Sequence, residues 1–97
     1  MGQDFKQEYK MDNWQWWKII NLNDIKNPDV PDRYLTVVLD GLGQTDIVIS
    51  RGFNICVLFL NYWIVPGLNE RNVFTVDNKV GAYIDKDNNL WVGRNAN

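Results

Sequence analysis

The sequence contains no histidine, and this absence removes several kinds of catalytic site at once. Ser-His-Asp and Cys-His catalysis both need an imidazole as general base, and histidine is also the commonest metal ligand. The single cysteine, Cys56, cannot form an intramolecular disulfide, and its place within an apolar run predicts an inert core residue. We therefore expect a protein without enzymatic activity, catalytic residues, bound metal or cofactor.

Clusters of basic residues and membrane-spanning segments are also lacking. The ten Lys and Arg are spread from Lys6 to Arg94 and the net charge is −2, which excludes nucleic acid as the main partner. The first thirteen residues are polar and do not resemble a secretory signal. The longest apolar run is too short and contains two Asn, so we expect no membrane insertion.

The 97 residues predict one domain with a single core, preceded by a polar N-terminal arm or short helix at residues 1–13. Segments rich in β-branched and aromatic residues recur about every ten residues, with turn-forming residues between them. This pattern predicts an all-β fold over residues 14–97, either a small antiparallel β-sandwich or a jelly-roll-like barrel. The strands are expected at residues 14–22, 34–39, 46–50, 53–65, 73–76, 79–84 and 90–93, with a surface loop at residues 23–32.

Residues 53–65 form the longest apolar run, which only Asn54 and Asn61 interrupt before Pro66-Gly67 supplies a turn. Its β-branched and aromatic content favours one long central strand over a buried helix. A strand that is apolar on both faces needs partners on both faces, so we expect one face to contact another subunit. The residues assigned to this interface are Phe53, Ile55, Val57, Phe59 and Trp63.

Two short motifs resemble ligand sites but lack essential positions. Residues 40–46 begin like a dinucleotide-binding fingerprint, yet Asp46 replaces the third glycine and no helix is expected to follow. Residues 85–89 match the opening of a calcium loop, but Leu90 and Ala96 stand where that loop needs Gly and Glu. Both motifs are therefore interpreted as turns, in which Asp, Asn and Gly are favoured.

Three tryptophans fall within the first predicted strand. Residues 12–15 resemble a helix capping box, but the Trp and Ile content favours a strand. Alternation then places Trp14, Trp16 and Ile20 on one face and Trp17 on the other, so at least one large ring is expected to be exposed. An exposed ring can stack on a sugar or contact a partner protein. The predicted ligand-binding residues are Trp14, Trp17, Trp91, Asp85, Asp87 and Asn88.

Two stretches resemble the small β-structured head domains at the tips of phage tail fibres and receptor-binding proteins. In residues 16–22 and 34–41, an aromatic-Lys-Ile strand leads through a loop into a strand that ends in Gly. Residues 80–93 resemble the hairpins of such fibres, and together these stretches cover about a third of the chain. The resemblance implies a component of the virion tail that forms a homotrimer and binds a host-surface saccharide or protein.

The preferred hypothesis is therefore a non-enzymatic interaction domain of a phage tail fibre or baseplate, located in the virion and otherwise in the cytoplasm. The alternative is a small acidic bacterial immunity or inhibitor protein that binds one protein partner through a negatively charged face. A sugar hydrolase that uses two of the 12 Asp and Glu is a third class. Oligomeric state separates the first two classes, because a fibre domain is expected to be a trimer and an inhibitor a monomer.

Overall fold

A computed structural model describes residues 3–6, 13–25, 32–52, 54–70 and 72–96, and for residues 3–6 it describes the backbone alone. These described residues form nine β-strands and one short 3-10 turn at Leu22–Asp24. The predicted all-β fold is confirmed, and its architecture is a small antiparallel sandwich. Within the described ranges, no helix has the length and apolar character needed to cross a membrane.

The strands form a five-stranded sheet and a four-stranded sheet. In chain order they are β1 (Gln3–Lys6), β2 (Trp14–Asn21), β3 (Asp32–Leu39), β4 (Gly43–Arg51), β5 (Ile55–Phe59), β6 (Tyr62–Ile64), β7 (Val73–Val76), β8 (Val80–Ile84) and β9 (Asn89–Asn95). Sheet A has the strand order β1-β7-β8-β9-β2, and sheet B has the order β3-β4-β5-β6. All neighbouring strands within each sheet are antiparallel.

The core lies between the sheets, where inward side chains from both sheets meet. Trp17 of β2 packs edge-on against Phe59 of β5, with 6.1 Å between the ring centroids and 67° between the planes. Trp17 Nε1 also donates a 3.0 Å hydrogen bond to the backbone oxygen of Asp40, in the turn between β3 and β4. One side chain of sheet A thus contacts two parts of sheet B. Other fully buried core side chains include Ile47, Ile49, Val57, Ile64, Leu90 and Val92.

The N-terminal segment contributes a strand that the sequence did not reveal. The backbone of Gln3–Lys6 pairs with β7 at the edge of sheet A, whereas a polar arm or short helix was expected. Main-chain pairing needs no apolar side chain, so the polar composition of this segment gives no signal of it. Residues 7–12 of the predicted arm and residues 26–31 of the predicted loop lie outside the described residues.

The prediction of a strand at residues 14–22 is confirmed, but its facing changes halfway along. Lys18 pairs with Trp91 and Ile20 pairs with Leu90, so Ile19 is an extra residue in β2. This β-bulge turns Ile20 toward the core, where Leu90 is buried. The expected facing of Ile20 was wrong because strict alternation holds only in an uninterrupted ladder.

The apolar run at residues 53–65 forms two strands and not one. Leu60 and Asn61 connect β5 to β6 with φ angles of 50° and 68°, and positive φ at both central positions is what a type I′ turn requires. Phe59 and Tyr62 pair across this turn. The prediction of one long strand was wrong because Asn61 was counted as an interruption, although Asn adopts the left-handed conformation readily.

The hairpin also changes the predicted subunit interface. Val57 and Phe59 are fully buried in the core, so they offer no surface to another chain. Ile55 packs against the core with partial exposure, and Phe53 lies outside the described residues. Trp63 is 53% exposed and is the described member of the set with a large solvent-facing side chain. Residues 55–64 thus contain no single long strand that needs another subunit to cover its second face.

We expect Asn61→Gly to stabilise the protein by about 0.5 kcal/mol, because glycine adopts positive φ without steric cost. Asn61→Val is the control and should destabilise the protein, since a β-branched residue is strongly disfavoured at positive φ. Urea denaturation of the three proteins measures the free energy of unfolding. One continuous strand over residues 53–65 would give the opposite order, with glycine destabilising and valine stabilising.

Candidate functional site

Alternation along the strands of sheet B separates its core side chains from those on its outer face. Ile49 and Val57 lie in the core, so the residues next to them along each strand point outward. Val48, Cys56 and Leu58 therefore belong to the outer face of sheet B. The half-buried Cys56 accordingly lies on this outer face and not in the core, where the sequence predicted it.

Four outward side chains form a row across all four strands of this sheet. Tyr34 lies opposite Val48, Val48 opposite Leu58, and Leu58 opposite Trp63. With neighbouring strands about 4.8 Å apart, this sheet B row is roughly 14 Å long. Its two ends are exposed rings, since Tyr34 is 77% and Trp63 is 53% exposed, while Val48 between them is buried.

A groove of about 410 Å³ lies at the Tyr34 end of the sheet B row. It forms where the turn at Leu60 and Asn61 lies alongside β4, and three side chains of the row, Tyr34, Val48 and Leu58, also line it. Asp46 brings a carboxylate to the groove, and its Oδ1 accepts a 2.9 Å hydrogen bond from Thr36 Oγ1. Among the described residues, none donates to the other oxygen of Asp46. The groove thus places an exposed aromatic ring beside a carboxylate and an amide.

Trp17, one of the predicted ligand-binding rings, is not available to a ligand. Its side chain is 8% exposed and lies on the core-facing side of β2. Phe59 packs against its ring, and the guanidinium carbon of Arg94 lies 5.9 Å from the ring centroid. The burial of this ring contradicts the assignment of Trp17 as a ligand-binding residue.

Trp14 and Trp91 lie on the outer face of sheet A in a ladder of four rings. Trp14 stacks on Trp16 at a centroid distance of 5.6 Å, Trp16 meets Tyr83 edge-on at 5.3 Å, and Tyr83 stacks on Trp91 at 5.9 Å. A Cβ at Gly93 would overlap the Trp16 ring, so glycine is needed beneath it. The rings of this sheet A ladder pack against one another across β2, β8 and β9, and Trp14, Trp16 and Trp91 are half-buried.

The buried member of the ladder, Tyr83, is a structural group. Burial is the main reason that its pKa lies above the usual value of 10, and the negative charges of Glu70 and Asp85 raise it further. The hydroxyl therefore stays protonated across the physiological range.

Asp85 organises the loop between β8 and β9. Its Oδ1 accepts 2.9 Å hydrogen bonds from the backbone N–H groups of Asp87 and Asn89. Its Oδ2 accepts from Trp91 Nε1 at 2.9 Å and from Asn89 Nδ2 at 3.1 Å. Desolvation by itself would raise the pKa of Asp85, but these hydrogen bonds outweigh it and lower the pKa to about 2. With about four acceptor positions in use, this carboxylate is committed to its own loop.

The remaining predicted ligand residues tie this loop to the end of β2. Asn88 Nδ2 donates to Asn23 Oδ1 at 3.0 Å, and the backbone oxygen of Asp87 accepts from Asn21 Nδ2 at 2.9 Å. The structure thus brings Asp85, Asp87 and Asn88 together next to Trp91, as a hydrogen-bonded loop at the end of sheet A. No group of three or more metal-binding side chains occurs within the described ranges.

Sequence reasoning assigned neither Tyr34 nor Asp46 to a site, and it did not include Trp63 among the ligand-binding residues. In β3 both alternating sets contain apolar residues, so periodicity could not show that Tyr34 points outward. Trp63 was assigned to a subunit interface within one long strand. A turn signal at Asn61 was the clue that could have placed it opposite Leu58 on a solvent-facing sheet.

We expect Asp85→Asn to remove part of the acid dependence of stability. Because the pKa of Asp85 is lowered on folding, its contribution is fully present above pH 3.8, its unfolded value, and is lost as the pH falls toward about 2. Denaturation at a series of pH values should therefore show a smaller decline in the variant over this window. Asp87→Asn is the control, since no described residue donates to that carboxylate. Equal pH dependence in the wild type and the Asp85 variant would contradict this assignment.

No family model matches the chain, and no curated protein or solved structure matches it significantly.

Proposed function

We propose that the protein is a non-catalytic saccharide-recognition domain that binds its ligand in the groove on sheet B. The observation that carries the proposal is the exposed Tyr34 ring beside the Asp46 carboxylate and the Asn61 amide. A pyranose ring has apolar C–H faces and a rim of hydroxyl groups. An aromatic ring can cover such a face, while a carboxylate and an amide bond the hydroxyls.

The contrast between the two outer faces supports this choice of surface. On sheet A the large rings stack on one another, as between Tyr83 and Trp91. On sheet B, Tyr34 and Trp63 have no ring partner among the described residues, and both keep most of their surface in water. Exposed aromatic side chains of this size are enriched at recognition surfaces.

The size and charge of the groove favour a small ligand. Its volume of about 410 Å³ lies within the range of roughly 300–1,000 Å³ that is typical of small-molecule sites. Beyond the groove, the sheet B row continues to Trp63, which offers a second ring to a neighbouring sugar unit. An acidic inhibitor would be expected to present several carboxylates, and among the described residues that line the groove only Asp46 has one.

The resemblance of residues 16–22, 34–41 and 80–93 to phage tail-fibre head domains agrees with this proposal and suggests a saccharide on a host surface. A single open groove binds sugars weakly, so display in a homotrimer would raise the apparent affinity through multivalency.

Light scattering of the purified protein tests the fibre assignment, because we expect a trimer at micromolar concentration. A monomer would contradict the fibre assignment and would leave the groove to be tested by the variants below.

We expect Tyr34→Ala to weaken binding at least tenfold for a saccharide selected on a glycan array, because the stacking surface is lost. Trp63→Ala should weaken the binding of longer saccharides more than that of short ones. Val38→Ala is the matched control, since Val38 lies on the same strand, is 80% exposed and does not line the groove.

Isothermal titration calorimetry compares the four proteins. An array without any bound saccharide would contradict the proposal, and so would unchanged affinity in Tyr34→Ala.

A further inference from the structure

A second recess, here called the cationic recess, lies on the other side of the turn between β5 and β6. It has a volume of about 350 Å³ and shares the side chain of Leu60 with the groove on sheet B. Lys79 and Arg94 are its charged side chains, and no carboxylate lines it among the described residues. The recess is therefore locally basic, although the whole chain has a net charge of −2. The other lining residues are Tyr62, Asn78, Val80 and Asn95.

Arg94 is held in place without using most of its hydrogen-bonding capacity. Its guanidinium lies over the ring of Trp17, 5.9 Å from the centroid, and this cation–π contact favours a fixed position. Its described hydrogen bond, from Nη2 to the backbone oxygen of Gly41, is long at 3.4 Å. A guanidinium has five N–H donors, so several remain for a ligand.

Lys79 adds the second positive charge from a fixed turn between β7 and β8. The backbone N–H of Asn95 donates to the oxygen of Lys79 at 2.9 Å, and Asn95 Nδ2 donates to the oxygen of Asn78 at 3.0 Å. These bonds tie the turn to β9, the strand that carries Arg94. Neither cation has a carboxylate partner among the described residues.

We propose that the cationic recess binds the carboxylate of an acidic saccharide whose adjoining sugar unit occupies the sheet B groove. The planar fork of Arg94 matches a carboxylate in bidentate geometry, and Lys79 supplies a nearby point charge. Leu60 lies between the two recesses, so one ligand can reach both. The inference rests on the proposed function, because the groove holds the rest of the ligand. A free oxyanion such as phosphate could bind the same two cations. The experiment below therefore compares the saccharide carboxylate with inorganic phosphate.

The test is an NMR titration with trigalacturonate and with its methyl ester, which has the same sugar units but no charge. We expect the acid to shift the backbone amide signals of Lys79, Arg94 and Asn95 together with those of Tyr34 and Asp46. The acid should bind at least about fivefold more tightly than the ester. Added salt should weaken the binding of the acid more than the binding of the ester, because salt screens the charge of the acid.

Two variants locate the source of this preference. Lys79→Gln and Arg94→Gln should each reduce the preference for the acid by about fivefold, with binding of the ester unchanged. Since Arg94→Gln also removes the contact with Trp17, the exposed Lys79 provides the decisive variant. Lys86→Gln is the control, because it removes an exposed charge from the loop between β8 and β9.

Equal binding of the acid and the ester by the wild type, with shifts at Tyr34 and Asp46, would overturn the inference and leave the groove proposal standing. The inference would also be overturned if inorganic phosphate bound at Lys79 and Arg94 as tightly as the acid, because the recess would then be a general anion site. Shifts at Lys79 and Arg94 without any shift at Tyr34 or Asp46 would mean that the ligand leaves the groove empty. This result would overturn the proposed function, and it would also overturn the inference that an adjoining sugar unit occupies the groove.

Discussion

The packing of Trp17 against Phe59 joins the two sheets, and the surface that we assign to binding depends on it. Phe59 is the last residue of β5, and the chain reverses directly after it through the positive φ angles of Leu60 and Asn61. This reversal keeps Phe59 in the core and places Trp63 on the outer face of sheet B. The same turn lines the groove and the cationic recess. The turn that keeps Phe59 in the core therefore also shapes both recesses.

The aromatic side chains on the two outer faces of the sandwich differ in their packing and exposure. On sheet A, a glycine beneath Trp16 lets the ring lie flat on the sheet, and neighbouring rings cover each other. On sheet B, buried Val48 separates two rings that remain in water. Burial of these rings by a ligand would recover hydrophobic free energy that the folded chain alone does not gain. This difference is the physical reason for assigning recognition to sheet B.

Much of the fold follows from local sequence patterns, since the strands at residues 73–76, 79–84 and 90–93 are rich in β-branched and aromatic residues and have turn residues between them. Features that depend on long-range pairing were not accessible. The strand at Gln3–Lys6 exists through its backbone pairing with β7, and the bulge at Ile19 is visible only against β9. For the site, residues 85–89 were correctly interpreted as a turn, but the bond between Asp85 and Trp91 requires the register of two strands.

The central claim about this protein is that the outer face of sheet B is its recognition surface. A crystal structure of the protein with a bound saccharide from a glycan array tests this claim most directly. We predict a sugar ring stacked on Tyr34, with a hydroxyl group within hydrogen-bonding distance of the Asp46 carboxylate. A sugar bound on Trp14 or Trp91 of the sheet A ladder, with the sheet B groove empty, would contradict it.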